Sequence, residues 1–308
     1  MTARFILSLD CEGKWGVADL LNADLHRTLS DERLRSAYGA LVDMLDEFEI
    51  PATFAFVGAF TETPSGLKRL QPQLAQMAKR VPHYVGAALS DMNQGSRQGW
   101  CGDWAVDRVG AARTTHEIAL HGVSHVPWTW MDQDLLSLEL ALLRSLESPV
   151  RTAKTFIYPR NEVAHVEALA SIGIEGYRLA PPPRSRAVSL LSELNVFAGA
   201  DRDSPAAGAP RRIPAGRFIN LRSGPRRLVP TQVSSLRGAR MLQDSEQRGG
   251  VVHYWAHPEN FASAPSTLHL LHKILERVAR LRDAGRCEVL TQIGYCRSNR
   301  TAPPQAGG

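Results

Sequence analysis

Short apolar runs recur along this chain, and the best defined of them end abruptly in polar or charged residues. The first is Arg4-Phe5-Ile6-Leu7-Ser8-Leu9-Asp10-Cys11-Glu12-Gly13. Side chains alternate along a strand, so Ser8, Asp10 and Glu12 share one face while Leu7, Leu9 and Cys11 share the other. A second run, Thr115 to Leu120, leads into His121-Gly122-Val123-Ser124-His125, and a third, Lys154 to Tyr158, stops at Pro159-Arg160-Asn161. The fourth, Val251 to Ala256, ends at His257-Pro258-Glu259-Asn260, with His253, Trp255 and His257 on one face by the same parity.

Helical spacing separates these runs. Asp31 to Phe48 carries Leu34, Ala37, Leu41, Met44, Leu45 and Phe48 at helix-compatible intervals, behind Ser30 as N-cap. Pro51 to Val57 reads as a strand, Leu67 to Arg80 and Leu135 to Leu146 as helices, and Val163 to Ile172 as a helix closed by Gly173. Gly176 to Leu179 is expected to be a short strand, Thr267 to Leu281 an amphipathic helix and Glu288 to Ile293 a last strand. Alternating strands and helices predict an α/β fold of parallel units rather than a sandwich or bundle. In such folds functional groups gather at the carboxyl ends of the strands, where each of these runs breaks off.

Pro181 to Arg240 interrupts the rhythm. It holds 11 Arg against Glu193, Asp201 and Asp203, and is dense in Pro, Gly and Ser. We expect an insertion over about 181–240, and a basic patch able to hold a diphosphate or acidic glycan. No recognition helix or aromatic-basic interleaving accompanies the charge, so nucleic acid is not the expected partner. With this insertion included, 1–296 reads as one large domain; 308 residues with 44% hydrophobic content suffice for a full core, and 297–308 reads as a disordered tail. Apolar runs end well before the ~20 residues of a membrane span. The first strand begins by Arg4, which leaves no room for a signal peptide and points to a cytoplasmic protein. Cys11, Cys101, Cys287 and Cys296 are widely spaced without a C-x-x-C pair, so reduced thiols are expected.

The chemistry lies in the run ends. Two carboxylates facing one space, Asp10 and Glu12, require either a cation between them or a proton on one. His121 and His125 stand at i and i+4, a spacing that brings two rings to one side, and two His with one carboxylate is a ligand set for catalytic zinc or a similar ion. Arg160 places a fixed cation just past a strand. Trp15 and Trp255 flank these groups and suit the apolar faces of sugar rings.

In order, Ser8-Leu9-Asp10-Cys11-Glu12-Gly13, His121-Gly122-Val123-Ser124-His125, Phe156-Ile157-Tyr158-Pro159-Arg160-Asn161 and His257-Pro258-Glu259-Asn260 resemble the motifs of the polysaccharide deacetylases, the NodB-homology carbohydrate esterases. The likeness spans roughly residues 4 to 292. It implies an irregular (β/α) barrel of NodB-homology type in a single domain, and a hydrolase that removes an N-acetyl or O-acetyl group from a sugar. It further implies Asp10 as general base, Glu12, His121 and His125 as ligands of a divalent metal, His257 as general acid and Arg160 as the residue orienting Asp10. Zinc is the expected metal, with cobalt, nickel or manganese as substitutes; Trp15, Trp255 and Asn260 are the expected substrate contacts. Two departures stand out. Many members have adjacent Asp residues in the first motif, where this chain has Cys11, and the third motif usually places its Arg ahead of the proline.

The expected substrate is an acetylated sugar, glycan, or sugar-nucleotide or lipid-linked intermediate. Two other readings are a metal-independent hydrolase of small amides or ureides on the same scaffold, and a sugar-binding protein without catalysis.

Overall fold

The structure is a computed structural model that describes residues 1–182, 188, 192–203, 209–219, 221–222, 224–264 and 266–298. These form a nine-stranded sheet: β1 (Ala3–Cys11), β2 (Thr53–Phe56), β3 (Glu117–Leu120), β4 (Thr155–Phe156), β5 (Gly176–Arg178), β6 (Arg211–Ile213), β7 (Arg217–Phe218), β8 (Val252–Ala256) and β9 (Cys287–Leu290). The order is β6-β5-β4-β3-β2-β1-β8-β7, with β9 also on β1, and every ladder is parallel. Parallel neighbours demand crossover connections, which the intervening helices supply.

Parity along β1 sets the layers. Phe5, Leu7, Leu9 and Cys11 join the main core beneath the helices, whereas Ile6, Ser8 and Asp10 point into the curled sheet. Ile6 packs with Ile213, Val251, Tyr295 and Cys296, and Ala55, Ala119 and Ile157 fill a second part of the interior. Register then aligns the functional ends. Asp10 lies beside Ala55, and Ala55 beside Ala119, so the residues after β1 and β3 emerge on the same rim.

Most expected elements are present. Ser30 caps the Asp31–Glu47 helix through its side chain, and the Pro64–Ala78, Gln133–Ser145, Val166–Ser171 and Ser266–Asp283 helices lie where apolar spacing predicts them. The last strand is shorter than expected: it stops at Leu290, and Gln292–Ser298 is a helix whose Tyr295 packs on Ile6. The segment 181–240 is not simply an added loop. Its described residues supply β6, β7 and the first half of the Thr231–Arg248 helix; 183–187, 189–191, 204–208, 220 and 223 lie outside the described residues. The expected disordered tail likewise lies, from 299 onward, outside the described residues, while Arg297 and Ser298 close the last helix. All four cysteines are buried thiols, and no helix among the described residues is long and apolar enough to cross a membrane.

Candidate metal centre and active site

Asp10, Glu12, His121, His125, Arg160, Trp255, His257 and Asn260 line one cavity of about 380 Å³ at the carboxyl ends of the strands. Glu12 is its hub. One oxygen, Oε1, stands 3.0 Å from His121 Nε2, 3.1 Å from His125 Nε2 and 3.4 Å from His257 Nε2. The other, Oε2, packs against Gly16, where a Cβ would fall 1.7 Å away, so only glycine allows this carboxylate to settle. His125 is brought back toward His121 by a left-handed backbone, φ +59°, rare for a residue bearing a β-carbon.

His121 Nδ1 lies 2.8 Å from the Ile157 carbonyl, which can only accept, so that nitrogen carries the proton. In the neutral ring, Nε2 then presents a lone pair to a carboxylate oxygen, an arrangement that needs a cation or a second proton between them. The ligand atoms of Glu12, His121 and His125 all lie within 4.8 Å of one another. These residues fit a divalent metal: nitrogen and oxygen donors, a backbone carbonyl fixing one tautomer, and cavity space left beside them. His257 groups instead with Asp10 and Glu12.

Charge is distributed unevenly. Burial works to raise the Glu12 carboxyl, but the surrounding imidazoles, His125 foremost, hold it well below its ordinary value. Burial likewise opposes ionisation of Asp10, and the charge of Arg178 overcomes it. Burial also disfavours a charged His257, yet Glu12, Asp10 and Glu259 push this imidazole up to about 9.

The partner of Asp10 is not the expected one. Arg160, with a left-handed backbone at φ +57°, turns its guanidinium to the Gly16 carbonyl and to Asp19 at the rim. Arg178, from the end of β5 and 1% exposed, makes the bidentate pair instead. Its Nη1 donates to Asp10 Oδ1 at 2.8 Å and its Nη2 to Oδ2 at 2.6 Å. Nη2 also donates to Asn161 Oδ1 at 2.8 Å, and Nη1 to Ser8 Oγ at 3.2 Å. Ser8 Oγ is 2.9 Å from Nε2 of His253, whose Nδ1 meets the Pro214 carbonyl at 2.7 Å. Since that carbonyl takes the Nδ1 proton, His253 Nε2 accepts from Ser8, and a continuous chain of hydrogen bonds runs from Pro214 through His253, Ser8 and Arg178 to Asp10. The sequence carried one signal for Arg178: a charge at the end of an otherwise uncharged three-residue strand, in a sheet buried on both faces.

Trp255 and Asn260, expected at the substrate, line the cavity; the Trp255 ring lies under Arg178, 4.6 Å from ring centre to guanidinium carbon, and Asn260 lies 3.3 Å from His257 Nδ1. Trp15 does not. It is 1% exposed, its Nε1 donates to the Trp100 carbonyl at 3.0 Å, and it packs edge-on against Trp100, so it belongs to the core rather than to a substrate surface.

No family model matches the sequence, and no curated protein matches it. Among solved structures, a Mycobacterium smegmatis protein described as a polysaccharide deacetylase aligns with 98% of this chain and 92% of its own, at 15% identity and a TM-score of 0.53. The Puue allantoinase aligns with 98% of this chain and 91% of its own, at 12% identity and a TM-score of 0.54. The shared feature is the fold, and the expected NodB-type barrel is the fold of this chain.

Proposed function

We propose that this protein is a metal-dependent hydrolase that removes an acetyl group from an acetylated amino sugar or glycan intermediate. One observation carries the reading: the Glu12 oxygen and two histidine nitrogens converge beside Asp10, a second carboxylate that a buried arginine keeps charged. Glu12, His121 and His125 would hold the ion, and the donor set suits zinc, with cobalt, nickel or manganese as alternatives. A divalent cation there supplies Lewis acidity toward the acyl oxygen and lowers the pKa of water. Asp10 takes the proton of the attacking water, and the bidentate grip of Arg178 prevents the carboxylate from turning away. His257, facing the same cavity, gives a proton to the departing nitrogen or oxygen. An amine is a poor leaving group without it.

Trp255 and His257 also border a second cavity of about 600 Å³, with Phe218, Glu193 and Asp201 in its wall. It offers room, on the general-acid side, for the rest of a glycan or a linked carrier. The barrel shared with a polysaccharide deacetylase supports a sugar substrate; the barrel shared with an allantoinase leaves a small amide or ureide as the alternative.

The test is metal analysis of purified protein together with acetate release from acetylated monosaccharides, sugar nucleotides and oligosaccharides, with and without chelator. A stoichiometric ion that disappears in His121→Ala, with chelator-sensitive acetate release, supports the proposal. Undiminished amide hydrolysis by metal-free protein replaces it with the metal-independent reading. Sugar binding with bound metal but no acetate release leaves only a sugar-binding protein.

A further inference from the structure

Two buried carboxylates that are neither proposed ligand, base nor acid accept hydrogen bonds from the turns that carry the ligands. Glu139, 1% exposed, comes from the Gln133–Ser145 helix. Its Oε1 accepts the Val123 N–H at 2.5 Å and its Oε2 the Ser124 hydroxyl at 2.7 Å, both between His121 and His125. Glu259, 9% exposed, lies two residues past His257 in the Pro258–Ser263 helix. Its Oε1 accepts the N–H of Glu12 at 3.0 Å and of Gly13 at 2.5 Å.

These turns leave the strand ladder with left-handed residues, Gly13 at φ +56° and Gly122 at φ +68°, so their N–H groups need acceptors from elsewhere. A buried N–H without one bears its full desolvation penalty, which shifts a turn toward water. Glu259 does more than satisfy donors, because it joins the segment after β8 to the turn after β1 and thereby sets His257 against Glu12.

We propose that Glu139 and Glu259 are positioning residues that fix the spacing of Glu12 from His121 and His125, so that metal affinity depends on two side chains that touch no metal. The inference rests on the metal-binding reading above. Groups that orient ligands from behind typically contribute ten- to hundredfold in affinity.

The test compares Glu139→Gln and Glu259→Gln, which keep an accepting oxygen in place, with Glu139→Leu and Glu259→Leu, which remove it. Cobalt is titrated and followed by its visible absorption, and exchange of the Glu12, Gly13 and Val123 amides is followed by NMR in metal-free protein. The glutamine variants are expected within about threefold of wild-type affinity. The leucine variants are expected to lose at least tenfold in affinity, with faster exchange confined to the turn each served. Should a leucine variant not fold, the aspartate variant, with its acceptor drawn back by one methylene, is read the same way. A folded leucine or aspartate variant with wild-type cobalt affinity and wild-type amide protection overturns the proposal. If wild-type protein binds no cobalt, the metal-dependent function falls, while the exchange rates still decide whether the carboxylates hold the turns.

Discussion

Arg178 and Asp10 meet through two parallel hydrogen bonds in the barrel interior, with side-chain exposures of 0% and 2%. Removing one member of such a pair strands the other, so Arg178→Met should cost about 3 to 5 kcal/mol in urea unfolding. Arg178→Lys keeps the charge but loses the fork, and turnover should fall at least tenfold. Arg160→Ala, which releases only Asp19 and a rim carbonyl, should alter stability by under about 1 kcal/mol. Equal losses in Arg160 and Arg178 variants would contradict the assignment.

His257→Ala should separate substrates by leaving group. Release of acetate from an acetamido sugar should fall by roughly 10² to 10⁴. An aryl acetate, whose leaving oxygen needs no proton, should lose far less. Parallel losses on both, measured as kcat/KM, would remove His257 from the general-acid role.

Gly16→Ala should act on the metal without reaching it. The added methyl would collide with Glu12 Oε2, and zinc or cobalt affinity should drop at least tenfold by titration. Gly39→Ala, inside the Asp31–Glu47 helix with nothing within 4 Å of the new carbon, is the control. It should bind metal normally and gain about 0.5 to 1 kcal/mol.

Acid stability should depend on His253. Burial first, then the Arg178 charge, drives this imidazole down to about 3; its bond to Pro214 and the charge of Asp10 pull upward without prevailing. The native ring therefore stays neutral between pH 6.5 and 3, while the unfolded ring takes a proton below about 6.5. Over that window the unfolded state binds more protons, so stability falls as pH falls. His253→Gln mimics the neutral tautomer, donating to Pro214 and accepting from Ser8, and cannot titrate. By pH 4.5 it should have lost about 2 to 3 kcal/mol less than wild type in urea unfolding of metal-free protein.

The two tryptophans expected at the substrate should behave oppositely. Trp255→Ala should raise KM for a sugar substrate while leaving the melting temperature within a few degrees. Trp15→Ala empties a core site and should destabilise by about 3 to 5 kcal/mol; Trp15→Phe, which keeps most of the volume, should leave KM unchanged. A KM effect confined to Trp15→Phe would restore it to the substrate surface.

What could be read from the chain was whatever local pattern encodes. Period-two alternation placed Asp10 and Glu12 on one side of β1, and helical spacing located the principal helices. Arg178 escaped because nothing near it in sequence names a partner 168 positions away, and the neighbouring Arg160 offered a nearer candidate. Trp15 misled for the opposite reason, since adjacency to Glu12 does not imply that an indole faces the same space. Glu139 had a readable sign, an acid at a core-facing position among Leu135, Leu136, Leu142 and Leu143. The Thr231–Arg248 helix was hidden by its Ser, Arg and Gln content, because burial of one face rather than intrinsic pattern stabilises it.

Among the described residues no ladder joins β6 to β7, the two ends of the sheet. Pro214 to Gly216 connects them along the chain, and at that point His253 bonds to the Pro214 carbonyl. Elsewhere the circumference is laced by backbone hydrogen bonds; here it is closed by three residues of covalent chain. A hoop fastened this way is held least at its clasp, which lies beside Phe218 and Trp255 in the wall of the cavity of about 600 Å³, so that wall has no ladder among the described residues to resist a bulkier guest.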